Sequence, residues 1–592
     1  MSDKYKWDLS YIYKSDKDFS NDINNLEKIY KEKLELKGKL NSKKNYIRFL
    51  EIEEKETIID TKLYLYSNIY SLDQTNLDFI RLSKPLDILN NKYRVKMSWI
   101  LPELYKLKKK DVLEWIKDSK YFYYKFDIEE FYRLKKHRLN EKENELLSKV
   151  SRSMNNAPEI YSELTVSDNK NEAIKKGAKD IILSQKNFLD IMKFSKPLKD
   201  QEFRKEASLK FFKRYIDNKF TLSSIYQKIA DSLFESSSLL KYNSPLEMKL
   251  SSNNIPKSVY FKLIEVAKKN SNLVRERDLI LVKFLKTKHK LERVYTSDKM
   301  LELFTSKENI EVKDALNMIG DIAKGISDDY YNAFKQATRP GLIDYFESEN
   351  KVKGAYSTGN IIYDPLILMN YSNDLDSVLT LAHEIGHSIH TILSNNNQKQ
   401  PYQDYSIYLA EIASTTLEML TIDKLIEKAR TNKEKIYLVE KKVSTQIATF
   451  FRQAQFADFE HEVIEGVKNE KIFDHQELSN IFNNKSNLYG FDVYEKFNND
   501  MDYTWTRISH FFQSPYYVYQ YATCIAVTFN FLEKIKKGEK SDFIRLLKMG
   551  SSDYPNKILI ENGIDLSKDE TYTSLIENIK YNINFLKELL EK

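Results

Sequence analysis

The stretch Thr380-Leu-Ala-His383-Glu384-Ile-Gly-His387-Ser-Ile-His390 sets two imidazoles four residues apart. On a helix that spacing brings both to one face and aims them at a single point, where one zinc ion can take both. Val378, Leu379, Ala382, Ile385, Ile389 and Ile392 surround them as an apolar stripe, so the pattern predicts a core helix over about 375–393. His390, at i+7 from His383, is read as a neighbour of the pair rather than a further ligand. A hydrolytic zinc takes three protein ligands and keeps a fourth position open for water. The third is expected in Tyr408-Leu-Ala-Glu411-Ile-Ala-Ser-Thr-Thr-Leu-Glu418, 24 residues after His387. A polar stretch at 394–403 permits an antiparallel return, so that Glu411 faces the histidines from a second helix. Glu418, two turns further on, can orient a ligand histidine as an outer acceptor or stand as a solvated carboxylate. Glu384 is the expected general base, acting on a water whose pKa the metal lowers to about 7.

Outward from this motif the chain is poor in chain breakers. Glycine and proline number 13 and 11 in 592 residues, which excludes sandwiches, propellers and glycine-rich phosphate-binding sheets and makes a mostly α fold the expectation. The first 300 residues carry helical spacing, as in Phe19, Ile23, Leu26, Tyr30 and Leu34, with Ser83-Lys84-Pro85 read as a separator between antiparallel helices. Only Gly38 and Gly177 precede residue 320, whereas Gly320, Gly325, Gly341, Gly354, Gly359 and Gly386 crowd the next stretch. A small sheet is therefore expected at 339–372, just ahead of the motif helix. The expected division is an amino-terminal helical lobe over 1–200 and a catalytic part over 201–592.

The 94 basic and 87 acidic residues leave a net charge of +7 spread along the chain, with no basic stripe for nucleic acid. Cys524 stands alone, so no internal disulfide can form, and Met-Ser-Asp-Lys-Tyr-Lys-Trp at the start lacks an apolar core. A cytoplasmic location is the expectation. The most apolar long stretch, 516–532, is broken by Gln520, Thr523, Thr528 and Asn530, so no membrane span is assigned.

Four further segments follow in order: Trp7-Asp-Leu-Ser-Tyr-Ile-Tyr, Gly354-Ala-Tyr-Ser, Ala410-Glu-Ile-Ala-Ser-Thr and Pro515-Tyr-Tyr-Val-Tyr-Gln-Tyr-Ala-Thr. With the His383 motif they make the chain resemble oligoendopeptidase F, of the thimet-oligopeptidase-type zinc metallopeptidases, over nearly its whole length. The resemblance implies a two-lobed helical fold with a deep central channel, one zinc per chain held by His383, His387 and Glu411, and short peptides as substrates, cut internally. It also implies that His510, Tyr516 and Tyr519 donate hydrogen bonds to the developing oxyanion, Tyr516 being the weaker candidate because Tyr516 and Tyr517 point different ways on a helix. Gly354, Ala355 and Tyr356 fall where such enzymes place an edge strand that pairs with the substrate backbone. Cys524 stands where the family often has glycine. The rival readings are a zinc exopeptidase of carboxypeptidase or aminopeptidase type, and a non-catalytic helical binding protein. No Gly-x-Met-Glu-Asn segment precedes the motif to grip a substrate amine, and the sequence assigns no oligomeric state.

Overall fold

The computed structural model describes residues 3–140, 142–144, 146–147, 156–168, 170–304, 309–360, 363–498 and 503–592. Helices make up most of it. Two small sheets interrupt them: an antiparallel hairpin of β1 (Ala173–Lys176) and β2 (Lys179–Ile182), and a three-stranded sheet of β3 (Ile343–Asp344), β4 (Tyr356–Asn360) and β5 (Tyr363–Leu368). The chain forms two compact units, each assembled from three segments: 1–142, 308–421 and 531–563 in the first, and 143–307, 422–530 and 564–592 in the second. Both draw on residues from either side of position 200. No helix among the described residues is long and apolar enough to cross a membrane.

In the first unit the helical stripe read from sequence is the buried one. Phe19, Ile23, Leu26 and Tyr30, on the helix Asp16–Leu34, pack with Leu63, Leu65 and Tyr66 of Lys43–Ser67 and with Phe79, Leu89 and Tyr93 of Leu77–Lys96. The expected separator Ser83-Lys84-Pro85 is not one, because Pro85 lies inside Leu77–Lys96. Proline removes one intrahelical N–H, but Phe79 on one side of it and Leu89 and Tyr93 on the other are all buried, and this packing carries the helix through the gap.

The expected sheet is present, in the order β3-β5-β4, with β3 parallel and β4 antiparallel to β5. Ile361 and Ile362, part of the alternation read there, lie outside the described residues. At the other end of the sequence Trp7 docks on this sheet: its indole Nε1 donates to the Ile367 carbonyl at 2.8 Å, and the Asp8 amide donates to the Gly341 carbonyl at 2.9 Å. Gly341 needs its freedom here, since its φ is +91° and a Cβ would sit 2.9 Å from the Asp8 Cβ.

Below the sheet runs the motif helix, Leu375–Asn397, started by Asp374, whose carboxylate accepts the Ser377 amide at 2.7 Å. It extends four residues past the expected end at 393. The polar run that reads as loop stays helical because Ser394 is fully buried and its hydroxyl donates to the Gln403 carbonyl at 2.5 Å. A short turn at Gln400–Tyr402 then leads into the returning helix, Ile407–Lys428.

The second unit has its own cores. Leu281, Phe284 and Leu285 pack with Leu586, Leu589 and Leu590, and Ile174 of the hairpin packs with Phe188 and Phe211, whose rings stack at 3.9 Å.

Candidate metal centre

Close approach of two helices creates the site. Gly386 lies between the motif histidines, and a Cβ there would fall 2.6 Å from the Ser414 Cα and 2.8 Å from the Ala413 carbonyl oxygen. Only a residue without a side chain lets the backbones come this near. The pairings run in opposite directions along the two segments, from His390 against Tyr405, just ahead of the second helix, through Gly386 against Ser414, to His383 against Glu418, so the return is antiparallel as expected.

Glu411 Oε2 lies 3.2 Å from His383 Nε2 and 3.5 Å from His387 Nε2. These three residues form a group whose ligand atoms all fall within 4.8 Å of one another. Two imidazole nitrogens and one carboxylate oxygen are a donor set suited to zinc, with room for a further ligand. Their side chains are 26%, 19% and 30% exposed in the order His383, His387, Glu411, so water can reach them.

Outer contacts fix each ligand. Glu418 Oε2 is 2.9 Å from His383 Nδ1, the Ala410 carbonyl accepts from His387, and the Ser414 hydroxyl donates to Glu411 Oε2 at 2.9 Å. Glu418 thus stands as the acceptor of the two readings. The charges follow. Burial works against a charge on His383, but hydrogen bonds to Glu411 and Glu418 hold its pKa up at about 10. Burial and the His383 charge push His387 down to about 4. Burial tends to raise Glu411, yet the two imidazoles and Ser414 keep it at about 2.

Glu384 is buried, at 7% exposure, with the Ser357 amide of β4 donating to it. Burial pushes its pKa up to about 7, the Glu411 and Glu418 charges add to the rise, and His383 and the Ser357 amide oppose it. The Ser357 and Ser388 hydroxyls, 2.9 Å apart, tie the strand to the motif helix. His390 is apart from the ligand group: fully buried, it stacks on Tyr405 with ring centres 3.5 Å apart.

β4 is at the edge of its sheet, and Tyr356 opens it opposite Leu368. Gly354 makes the bend before it at φ +87°, its carbonyl accepting from Asn370 Nδ2 at 2.7 Å, and Ala355 links the two.

The late aromatic residues lie in the second unit. His510 is on the short helix Ser509–Gln513, with Nε2 3.3 Å from the Tyr521 hydroxyl. Tyr519 is buried at the first position of the helix Tyr519–Lys536. Tyr516 and Tyr517 are not on a helix, contrary to the expectation, but in a turn at 514–518. There Tyr516 has φ +62° and its hydroxyl lies 3.1 Å from His461 Nδ1. Sequence reasoning missed Ser414, Ser357 and His461. It also passed over Gly386, though a glycine inside a helical pattern is itself a mark of close backbone approach.

Fold and cluster together define a mostly helical protein with a His-His-Glu group able to hold a metal ion. The chain belongs to peptidase family M3, whose profile matches residues 194–577, while that of oligopeptidase F matches 103–170. It is 30% identical to an oligoendopeptidase F homolog of Borreliella burgdorferi, over all of this chain and 99% of that one. It is 26% identical to oligopeptidase PepF of Bacillus subtilis, over 99% of this chain and 87% of the relative. A crystal structure from Chlamydophila abortus superposes with a TM-score of 0.86 at 27% identity, covering 100% of this chain and 99% of that one. That of oligoendopeptidase-F from Enterococcus faecium does so with 0.74 at 22% identity, covering 97% and 99%, and shares the fold.

Proposed function

We propose that the protein is a zinc-dependent oligoendopeptidase of the cytoplasm, hydrolysing internal bonds of short unstructured peptides with one zinc per chain. The observation that carries this is Glu411 set between His383 and His387, with the buried Glu384 on the same helix as the histidines. Zinc held by these three ligands supplies a lowered pKa for water and polarisation of the scissile carbonyl. Glu384 takes the proton as the water oxygen bonds to the carbonyl carbon, and delivers it to the amine as the C–N bond breaks. Its carboxyl is buried, and burial favours the protonated form, which suits a group that must both accept and return a proton. Glu418 keeps the Nδ1 proton of His383, leaving Nε2 as the ligand atom.

His510 and Tyr519 are assigned to the oxyanion, as the family resemblance implies. Tyr516 is assigned to the same role as the weaker candidate, its hydroxyl lying 3.1 Å from His461 Nδ1. Gly354, Ala355 and Tyr356 are assigned to the substrate backbone, which an edge strand binds with little regard to side chains. On this reading the machinery lies within 201–592.

Mass spectrometry of a mixed peptide library, incubated with zinc-loaded protein, tests the proposal. Internal cleavage of unstructured peptides is expected, with folded proteins spared. Release of terminal residues alone, or efficient digestion of a folded protein, would overturn it.

A further inference from the structure

The helix Gln453–Lys468 carries Glu460 and His461 side by side, and both reach the same residue. Glu460 Oε1 accepts the backbone amide of Tyr516 at 2.5 Å, and His461 Nδ1 lies 3.1 Å from its hydroxyl. Tyr516 is the one aromatic residue with positive φ among the described residues, at +62°. A side chain with a Cβ resists that conformation, so something must hold it there. The turn at 514–518 also joins the helix of His510 to the helix that Tyr519 opens, so its shape fixes the start of one relative to the end of the other.

We propose that Glu460 is a positioning residue for hydrolysis: by holding the Tyr516 amide it keeps this turn left-handed, and so sets His510 and Tyr519 in the arrangement that meets the oxyanion. This rests on the reading in which those two residues are the oxyanion donors. Glu460 is fully buried, and its Oε2 has no hydrogen-bond partner among the described residues. A carboxyl in that setting is costly to keep unless one of its oxygens does work. Burial lifts its pKa to about 8 against the pull of the Tyr516 amide and of Lys249, so near neutrality it is a neutral acid that accepts one amide. A glutamine side chain reproduces that acceptor. A methionine fills similar space without it.

The test compares E460Q and E460M in zinc-loaded enzyme, reading kcat, KM, bound zinc and melting temperature. E460M is expected to lose at least tenfold in kcat while KM, zinc content and melting temperature stay near wild type, and E460Q to remain within threefold of wild type. Should E460M fail to fold, E460D carries the same test, since it keeps the carboxyl but draws it back from the amide. Wild-type kcat in the variant lacking the contact, or equal losses in E460Q and E460M, would overturn the positioning role. H510A and Y519F measured alongside separate the two ideas. If they lose turnover and E460M does not, the positioning role alone falls; if they too keep wild-type turnover, the donor reading beneath it falls as well.

Discussion

Glu418 Oε2 and His383 Nδ1 lie 2.9 Å apart, while Nε2 of the same imidazole faces Glu411 at 3.2 Å. One ring is thus held from behind by one helical turn and offered forward beside another. Replacing Glu418 by alanine frees the ring to rotate and removes the charge that supports it. Zinc affinity should fall about 10- to 100-fold, with the fold intact. Competition with a chelator measures this, and unchanged affinity would show that Glu418 is a bystander.

Glu384→Gln keeps the size of the side chain and an oxygen for the Ser357 amide. Zinc content and melting temperature should therefore stay close to wild type while turnover drops by about 10² to 10⁴, the usual contribution of a general base. Turnover near wild type in a zinc-loaded preparation would remove Glu384 from that role.

Gly386→Ala places a methyl group 2.6 Å from the Ser414 Cα, where backbone rather than a flexible side-chain end must yield. The two helices are forced apart, with an expected destabilisation of about 1–3 kcal/mol. Because Glu411 is carried on the displaced helix, zinc affinity should weaken as well. Thermal unfolding and zinc competition read the two effects, and a variant normal in both would contradict the packing argument.

On the proposed reading, Tyr519→Phe and His510→Ala each remove one donor whose target carries charge only after attack. Turnover should fall by about 10² to 10³ with zinc content unaltered. Losses that merely track lost zinc or lost folding would return the segment to ordinary aromatic core.

Glu460 also makes a prediction about pH. Its pKa is raised to about 8 in the folded chain, so between the ordinary carboxyl range and pH 8 the folded protein binds a proton that the unfolded chain releases. Stability from this group is therefore present at low pH and is lost as pH rises through that window. Glu460→Gln cannot titrate. The melting temperature of the variant relative to wild type should climb from pH 5 to pH 8, and a constant difference would show that the carboxyl is ionised throughout.

The centre of the site was legible because its chemistry is local. His383, Glu384 and His387 are fixed by helical spacing alone, and Glu411 follows from a short return whose partner helix begins within 20 residues. The start of the motif helix at Leu375 was also readable, since Asp374 is an N-cap by type. What failed was set by tertiary packing. Pro85 is a helix breaker by propensity, and buried neighbours overrule it. The serine and asparagines at 394–397 look like loop, but one of them is buried against the next turn. Glu460 and His461 gave no signal, because a charged pair on an amphipathic helix reads as a solvated face and their partner lies 56 and 55 residues away. Trp7 gives no physical signal in the sequence, because the carbonyl its indole reaches, that of Ile367, lies 360 residues away.

That contact has a consequence for how the molecule is made. Trp7 and Ile367 are 360 positions apart, and the unit they hold together is completed only by residues 531–563. Closing so long a loop must wait for its far end. During synthesis the amino-terminal helices can emerge and collapse early, but the sheet beside the metal ligands stays open until more than 360 residues have been added, and the unit itself until nearly the whole chain is available. Hydrolytic competence should therefore arrive late in synthesis, once the last segment of this unit has joined the first.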